Sequence, residues 1–294
     1  MELLAELLLR LMALLPRGLA QTLGGITGRI LYTLDTRAAK VTRANIQLCC
    51  PDADIDRLTR ESLRETAKTM METPAVWFGG IDRIDRWISH VENEDLLRAA
   101  VEEDRGLLML LPHAGNWELF NVFYRRYGQM TALYQPPRMA AMDAVMARVR
   151  ARHGNEMVPT SRAGLTRLYR ALESGGSVVV LPDQVPARGE YIDFFGHKAL
   201  TDPLAIRLAE KTGARVLGIT ILRSEDGRFA AHVIEPPADI YKGGEVALEA
   251  MNGMVEQCAR MALPQYQWEY KRFRERPAGE QKIYRFGKPP GIHS

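Results

Sequence analysis

The sequence predicts an α/β protein with a mixed, mainly parallel central sheet flanked by helices and an N-terminal membrane-docking helical region. From residue 81 onward, short apolar runs alternate with amphipathic segments, as strands and helices do in α/β folds. Two of the runs, GLLMLL at 106–111 and SVVVLP at 177–182, are almost wholly apolar, which is typical of buried strands. Residues 1–15, MELLAELLLRLMALL, predict instead a helix with a wide apolar face.

The predicted elements divide the chain into three parts. Residues 1–80 form the N-terminal helical membrane-associating region, residues 81–277 the α/β domain and residues 278–294 a C-terminal tail. Strands are expected at 87–92, 106–111, 130–134, 177–182, 214–222 and 229–235. Helices are expected at 55–80, 94–103, 116–126, 139–153, 163–174, 201–212 and 244–262. Residues 183–200 are expected to be a loop.

Composition narrows the classes of function. The net charge of +3 over 294 residues is too small to predict a nucleic-acid binder, which needs a concentrated basic face. The three cysteines, Cys49, Cys50 and Cys258, have no C-x-x-C spacing, so neither a zinc site nor a disulfide framework is predicted. We expect no metal and no cofactor.

The first 15 residues carry their charges on one stripe. Glu2, Glu6 and Arg10 are four residues apart, so they share one side of a helix and leave the rest apolar. The charge-free stretches here are shorter than the roughly 20 residues that cross a bilayer. An amphipathic helix lying in the membrane interface is therefore favoured, and packing on the domain or on a partner is the alternative.

Two polar clusters follow predicted buried strands, where open sheets place their sites. In the first, Pro112 ends the strand and Asn116 is a predicted N-cap, which puts Glu118 in the first turn of a helix. Neutral imidazole takes a hydroxyl proton near pH 7, and a carboxylate on the other ring nitrogen holds the ring. His113 is thus a candidate base and Glu118 its partner. The alternative is a packing histidine and a glutamate that complements a helix dipole.

The second cluster begins with Asp183 and Gln184, after the valine-rich strand. Two adjacent aromatics, Phe194 and Phe195, occur further along the same segment. They are costly to expose, so they line a substrate pocket, face lipid, or fill the core beneath the loop.

Several cations and aromatics outside these clusters are candidates for binding. Arg150 and Arg162 lie between the two clusters and suit an anion site, or they are ordinary surface charges. Residues 266–274, YQWEYKRFR, interleave aromatics with cations. That mixture suits a membrane interface, although it also suits a segment that packs on the body.

Short motifs occur in a distinctive order along the chain. They are His113 through Glu118, Arg150 with Gly154, Arg162-Ala163-Gly164, Gly175-Gly176 through Asp183-Gln184, Phe194-Phe195-Gly196, Leu208-Ala209 and Thr212-Gly213-Ala214. The series resembles the lysophospholipid acyltransferase superfamily and, within it, the bacterial lipid A late acyltransferases. It spans residues 1–277. Two departures are Cys50, where that family usually has Phe, and QWEYKRFRERP near the C-terminus, where a tryptophan-histidine-arginine pattern is common.

The resemblance implies an activity and its partners. The donor would be an acyl-carrier-protein thioester or acyl-CoA, and the acceptor a lipid A precursor or related glycolipid at the cytoplasmic face of the inner membrane. His113 would be the base and Glu118 its orienting partner. The residues expected to bind substrate are Asn116, Arg150, Arg162, Asp183, Gln184, Phe194 and Phe195.

Two other functions remain open at this stage. A hydrolase would use the same His113 and Glu118 to activate water on a lipid ester, whereas a transferase must exclude water. A non-catalytic lipid-binding scaffold would keep the fold but would have no need of the pair.

Overall fold

The structure is a computed structural model that describes residues 2–134, 149 and 154–286. Almost all of the predicted helix at 139–153, with Arg150, lies outside the described residues. Residues 287–294 of the predicted C-terminal tail also lie outside the described residues. The other predicted helices and strands fall on described parts of the chain.

The N-terminal region consists of four helices. They are α1 (Glu2–Met12), α2 (Arg17–Thr33), α3 (Arg37–Cys49) and α4 (Ile55–Phe78). The helix predicted at 55–80 is confirmed as α4, in which the Asp54 side chain accepts a hydrogen bond from the Arg57 N–H and caps the first turn. In the part of the chain that the structure describes, no helix has both the length and the apolar character to cross a membrane.

Helices α2 and α4 pack with their backbones close together. A Cβ atom on Gly24 would lie 2.5 Å from the Cα of Lys68, and one on Gly28 would lie 2.4 Å from the Cα of Arg64. Any side chain at these two positions would therefore push the helices apart. The glycine spacing in α2 is what allows the close contact, as in other helix pairs joined through small residues.

A seven-stranded sheet forms the centre of the rest of the molecule. Its strands are β1 (Ile88–Glu92), β2 (Leu107–Leu110), β3 (Met130–Tyr134), β4 (Glu156–Pro159), β5 (Ser177–Val180), β8 (Arg215–Arg223) and β9 (Phe229–Ile234). Their order is β1-β9-β8-β2-β5-β3-β4. Among the described strands of this sheet, β8 and β9 form the one antiparallel pair. The predicted mixed, mainly parallel sheet is confirmed.

Helices cover both faces of the sheet. They are α5 (Ile81–Asp85), α6 (Glu94–Glu102), α7 (Phe120–Phe123), α8 (Arg162–Glu173), α9 (Leu204–Thr212) and α10 (Gly244–Met261). Strand β2 shows the two-sided burial: Leu108 and Leu110 belong to one hydrophobic core, while Leu107 and Met109 belong to the other. Alternate residues of a strand point to opposite faces, so an entirely apolar strand is buried on both.

One prediction about the strands was wrong, and one strand was not predicted. Residues 183–200 are not all loop, because β6 (Glu190–Phe194) and β7 (His197–Thr201) form an antiparallel hairpin. Its two-residue turn, Phe195-Gly196, has positive φ at both positions, 51° and 74°, and lacks the Asn-Gly or Asp-Gly sequence that usually marks such turns. Strand β4 was missed because its sequence, EMVP, is short and ends in proline.

A buried ion pair joins the N-terminal helices to the sheet. Arg223, the last residue of β8, donates from Nη2 and Nε to the carboxylate of Glu72 on α4, at 2.6 and 3.0 Å. It also contacts Glu65, two turns earlier on α4. Glu72 is fully buried and Arg223 nearly so. Burial alone lowers the pKa of Arg223, but the two carboxylates outweigh burial and raise it. Arg223 therefore stays charged in the interior.

We expect Glu72→Gln to destabilise the protein by about 3–5 kcal/mol, because it leaves a buried arginine without its main counter-charge. The free energy of unfolding from denaturant titration measures this. Glu61→Gln on the same helix is the matched control, since Glu61 pairs with exposed Arg57 at 2.9 Å, and such pairs contribute about 1 kcal/mol or less. Equal effects of the two changes would contradict a stabilising role for the buried pair.

Candidate active site

The two predicted polar clusters meet at one edge of the sheet. Strands β2 and β5 are parallel neighbours, and Leu110 pairs with Val180. Each strand is followed by the same dipeptide, Leu-Pro, and then by a polar residue. Leu110 and Val180 are paired across the two strands, and His113 and Asp183 each follow their strand residue by three positions. Because the strands run parallel, these two residues lie side by side.

Asp183 holds His113 through two hydrogen bonds. Nδ1 of the ring lies 2.7 Å from Oδ1 of Asp183, and the His113 backbone N–H donates to Oδ2 at 2.8 Å. Both residues are buried. Burial by itself raises the pKa of Asp183, but the ring and backbone of His113 reverse that effect and hold it below its usual value. Asp183 is thus an ionised carboxylate at neutral pH.

This contact determines which nitrogen of His113 is free to act. An ionised carboxylate only accepts hydrogen bonds, so Nδ1 carries the proton and Nε2 keeps its lone pair. The side-chain amide nitrogen of Gln184 lies 3.2 Å from Nε2 and donates to it. Gln184 is exposed, so another donor, such as a substrate hydroxyl, can take its place.

Glu118 does not hold the His113 ring, contrary to the expectation from their spacing. Its Oε2 accepts a hydrogen bond from the indole N–H of Trp77, at 2.9 Å, while Asp183 occupies Nδ1 of His113. The loop between the two residues turns Glu118 onto the first 3₁₀ turn, Trp117–Leu119, where it faces α4. Trp117 packs edge-on against the imidazole instead, with ring centroids 5.0 Å apart.

Asn116 is predicted to cap the following helix, but its side chain makes no capping hydrogen bond. Its Nδ2 donates to Oε2 of buried Glu72 at 2.9 Å, and its backbone N–H donates to the carbonyl of Ile221 at 2.9 Å. The preceding Gly115 has φ +62°, and a Cβ there would lie 2.0 Å from the Ile221 oxygen. Only glycine permits this approach, so the loop is pressed onto β8.

The C-terminal segment supports the same loop from the other side. The N–H of Gly115 donates to the carbonyl of Gln265 at 2.8 Å, and the N–H of Gln267 donates to the carbonyl of His113 at 3.0 Å. Tyr266 and Trp268 are buried in the core. Of the two interpretations of YQWEYKRFR, packing on the body is the one seen for these aromatics.

A cavity of about 250 Å³ opens beside His113. Its polar lining is His113, Glu118, Asn121, Gln184 and the Tyr134 side chain. Apolar and aromatic residues make up the rest: Leu111, Trp117, Phe120, Met130, Ala132, Leu133, Met157, Val179 and Leu181. The cavity thus presents an imidazole ring and hydrogen-bonding groups beside a wall suited to hydrocarbon. Within the described ranges, no cluster of three or more His, Cys, Asp and Glu side chains is placed to hold a metal ion.

Of the other predicted binding residues, Phe194, Phe195 and Arg162 do not line this cavity. Phe194 and Phe195 are buried in the core, where they contact each other, Tyr266 and Trp268, so they fill the space beneath the hairpin. Arg162 is exposed at the start of α8. Arg150 lies outside the described residues.

The sequence reasoning missed the pairing of His113 with Asp183 and the supporting roles of Glu72 and Trp77. One pattern could have predicted the pairing, because Leu111-Pro112-His113 and Leu181-Pro182-Asp183 repeat the same arrangement after two apolar strands. Nothing local marks Glu72 or Trp77, whose partners are 41 or more residues away along the chain.

The chain is similar to several known acyltransferases. The lipid A biosynthesis palmitoleoyltransferase of Escherichia coli K12 is 28% identical over 270 residues, 89% of this chain and 87% of that protein. The lauroyltransferase of the same strain is 27% identical over 281 residues, 92% and 90% of the two chains. A phosphatidylinositol mannoside acyltransferase of Mycolicibacterium smegmatis is 26% identical over 230 residues, 74% and 73%.

The sequence profile described as "Bacterial lipid A biosynthesis acyltransferase" matches residues 2–275. That match includes the loops that carry His113 and Asp183 and nearly all of the sheet and helices around them. The chain is an acyltransferase and belongs to the bacterial lipid A biosynthesis acyltransferase family.

Proposed function

We propose that the protein transfers a fatty-acyl chain from an acyl-carrier-protein or acyl-CoA thioester to a hydroxyl of a lipid A precursor or related glycolipid. The observation that carries this proposal is the His113–Asp183 pair, with Nε2 of His113 beside a largely apolar cavity. Family membership supports the class of donor and acceptor. The apolar wall suits the acyl chain, and the polar groups near His113 suit the reacting atoms.

In the proposed reaction, His113 acts first as a base and then as an acid. The acceptor hydroxyl displaces the Gln184 amide from Nε2 and gives its proton to that nitrogen as its oxygen attacks the thioester carbonyl carbon. The C–O bond forms, the C–S bond breaks, and the proton on Nε2 passes to the departing thiolate. Asp183 stabilises the imidazolium that exists between the two transfers. The products are an ester and a free thiol, with no net change in protons.

Glu118 has a different role in this proposal from the one its spacing suggested. Its carboxylate lines the cavity and is held by the Trp77 indole. In that position it can accept a hydrogen bond from another hydroxyl of a sugar acceptor and so orient it. Gln184, once displaced from Nε2, is a donor within reach of the oxygen of the reacting carbonyl.

Attachment to the membrane surface is part of the proposal. Helix α1 and the turn after it expose Leu7, Leu8, Leu11 and Leu14, each more than half exposed. Such a face is favoured in a bilayer interface, where leucines enter the acyl region. By family analogy, the surface is the cytoplasmic face of the inner membrane.

The direct test is transfer of a radiolabelled acyl group by the purified protein. Acyl carrier protein and acyl-CoA are compared as donors, and a lipid A precursor and a phosphatidylinositol mannoside as acceptors. Transfer to the precursor is the expected result. Transfer to the mannoside alone would move the acceptor toward that of the mycobacterial relative, and thioester hydrolysis without transfer would contradict the proposed reaction.

We expect His113→Ala to reduce kcat at least 10³-fold in a chain that still folds, because the change removes the proposed base. The melting temperature should fall, since buried Asp183 loses the ring that it pairs with. Single-turnover acyl transfer and thermal unfolding measure the two quantities. Retained turnover in a folded variant would refute the base assignment.

Substitutions of the two carboxylates, Asp183 and Glu118, are expected to change different kinetic constants. Asp183→Asn should lower kcat about 10⁴-fold, since an amide at this position permits the wrong imidazole tautomer. Glu118→Gln, the matched change, should act mainly on KM for the acceptor. Steady-state kinetics with varied acceptor separates the cases. A larger kcat loss in Glu118→Gln would restore Glu118 as the partner of the base.

Replacing Leu8 and Leu11 by Gln should weaken vesicle binding at least 10-fold, since burying a leucine contributes about 1.5–3 kcal/mol. Co-sedimentation with vesicles is the measurement. Val246→Gln with Met261→Gln, two exposed positions on α10, is the control and should bind normally. Equal losses in both variants would argue against docking through α1.

A further inference from the structure

A wide groove between α2 and α4 is lined by cations. It encloses about 620 Å³, and its charged lining residues are Arg29, Arg60, Arg64 and Lys68. The remaining lining is small, neutral or apolar: Gly18, Gln21, Thr22, Gly25 and Ile26. Among the described residues, no aspartate or glutamate lines this groove. The groove is separate from the cavity beside His113.

Most of this positive charge is not neutralised within the protein. Lys68 pairs with Glu65 at 2.5 Å. Arg60 lies over the ring of Tyr32, 5.6 Å from its centroid, a contact that leaves the charge intact. Across the described part of the chain, Arg29 and Arg64 have no carboxylate within ion-pair distance. Both are exposed, so the groove presents three uncompensated guanidinium groups.

Small residues on α2 keep the floor of the groove open. A Cβ on Gly25 would lie 3.9 Å from Nε of Arg64 and 3.9 Å from Cε of Lys68. That is ordinary contact distance, so a longer side chain at this position would project between the two cations. The absence of a side chain leaves space for an anionic group of another molecule.

An exposed apolar stripe adjoins the groove. Leu19, Leu23, Ile26 and Ile30 follow one another at intervals of four, three and four residues along α2, so they share one side of the helix. Each is at least 39% exposed, and Ile26 lines the groove as well. Apolar side chains beside arginines are typical of a helix lying at the surface of an anionic membrane.

We propose that this groove binds the phosphate of anionic phospholipid headgroups in the bilayer on which the protein docks. Guanidinium groups present paired N–H donors that match phosphate oxygens, and the stripe beside them enters the acyl region below the same headgroups. The inference rests on the membrane attachment proposed above and adds the lipid class and the binding residues. The occupant is a bilayer lipid and not the acyl acceptor, because the groove is separate from the His113 cavity.

The test compares vesicles of phosphatidylcholine alone with vesicles of phosphatidylcholine mixed with phosphatidylglycerol. Three proteins are sedimented: the full chain, the variant Arg29→Gln/Arg60→Gln/Arg64→Gln, and the control Arg125→Gln/Arg170→Gln/Arg207→Gln. The control removes the same charge from exposed positions outside the groove. We expect the groove variant to lose roughly 10- to 100-fold of its affinity for anionic vesicles, as for a few cations near such a surface. The control should change little.

Each result decides between alternatives. Equal losses in the groove variant and the control would show an effect of overall charge and would overturn the site, as would an unchanged groove variant. Failure of the parent chain to bind any vesicle would refute membrane attachment itself. Binding to phosphatidylcholine through the apolar stripe, with no preference for the anionic vesicles, would refute the groove but keep the attachment.

A second variant pair tests the groove without removing arginines. Gly25→Glu places a carboxylate between Arg64 and Lys68, whereas Gly25→Gln places a neutral side chain of the same size there. The glutamate should abolish the preference for anionic vesicles, and the glutamine should reduce it less. Because a Cβ on Gly25 meets only the flexible side chains of Arg64 and Lys68, at 3.9 Å, both variants are expected to fold. Equal behaviour of the two would argue against an anion at this position.

Discussion

The buried carboxylate of Glu72 is the interaction on which the rest of the structure depends. It accepts hydrogen bonds from Arg223 at the end of β8, from Asn116 in the loop after β2 and from Gln21 on α2. One side chain thus joins the N-terminal helices, the sheet and the loop that carries His113. Removing a charge pair from water is costly, and the cost is offset here because the donors around Glu72 satisfy both of its oxygens.

The order of strands and helices could largely be predicted from sequence, because the period of apolar residues reports burial directly. Strand β2 and strand β5 are apolar on both faces, and they are the two central strands that lead to the site. The β6–β7 hairpin could not be predicted in this way. Its turn depends on Phe195 in a left-handed conformation, which core packing of the aromatic ring imposes against local preference.

The place of His113 beside the cavity could be predicted from the sequence, but its hydrogen-bond partner Asp183 could not. His113 was singled out because it follows a buried strand, and that reasoning is local. Asp183 is 70 residues away along the chain, so the pairing depends on strand register, which no local spacing encodes. Glu118 was nearer in sequence and chemically suitable, yet the loop directs it to Trp77 on α4.

The position of Gln184 bears on how the enzyme would limit hydrolysis of its acyl thioester. Under the proposed mechanism, Nε2 of His113 already has a hydrogen-bond donor when no acceptor is present. A water molecule would have to displace that amide with little binding energy of its own, whereas a lipid acceptor brings the affinity of its whole surface. Under that mechanism, the enzyme would select the acceptor hydroxyl over water at Nε2 of His113. The acyl thioester would then not be hydrolysed when no lipid acceptor is bound.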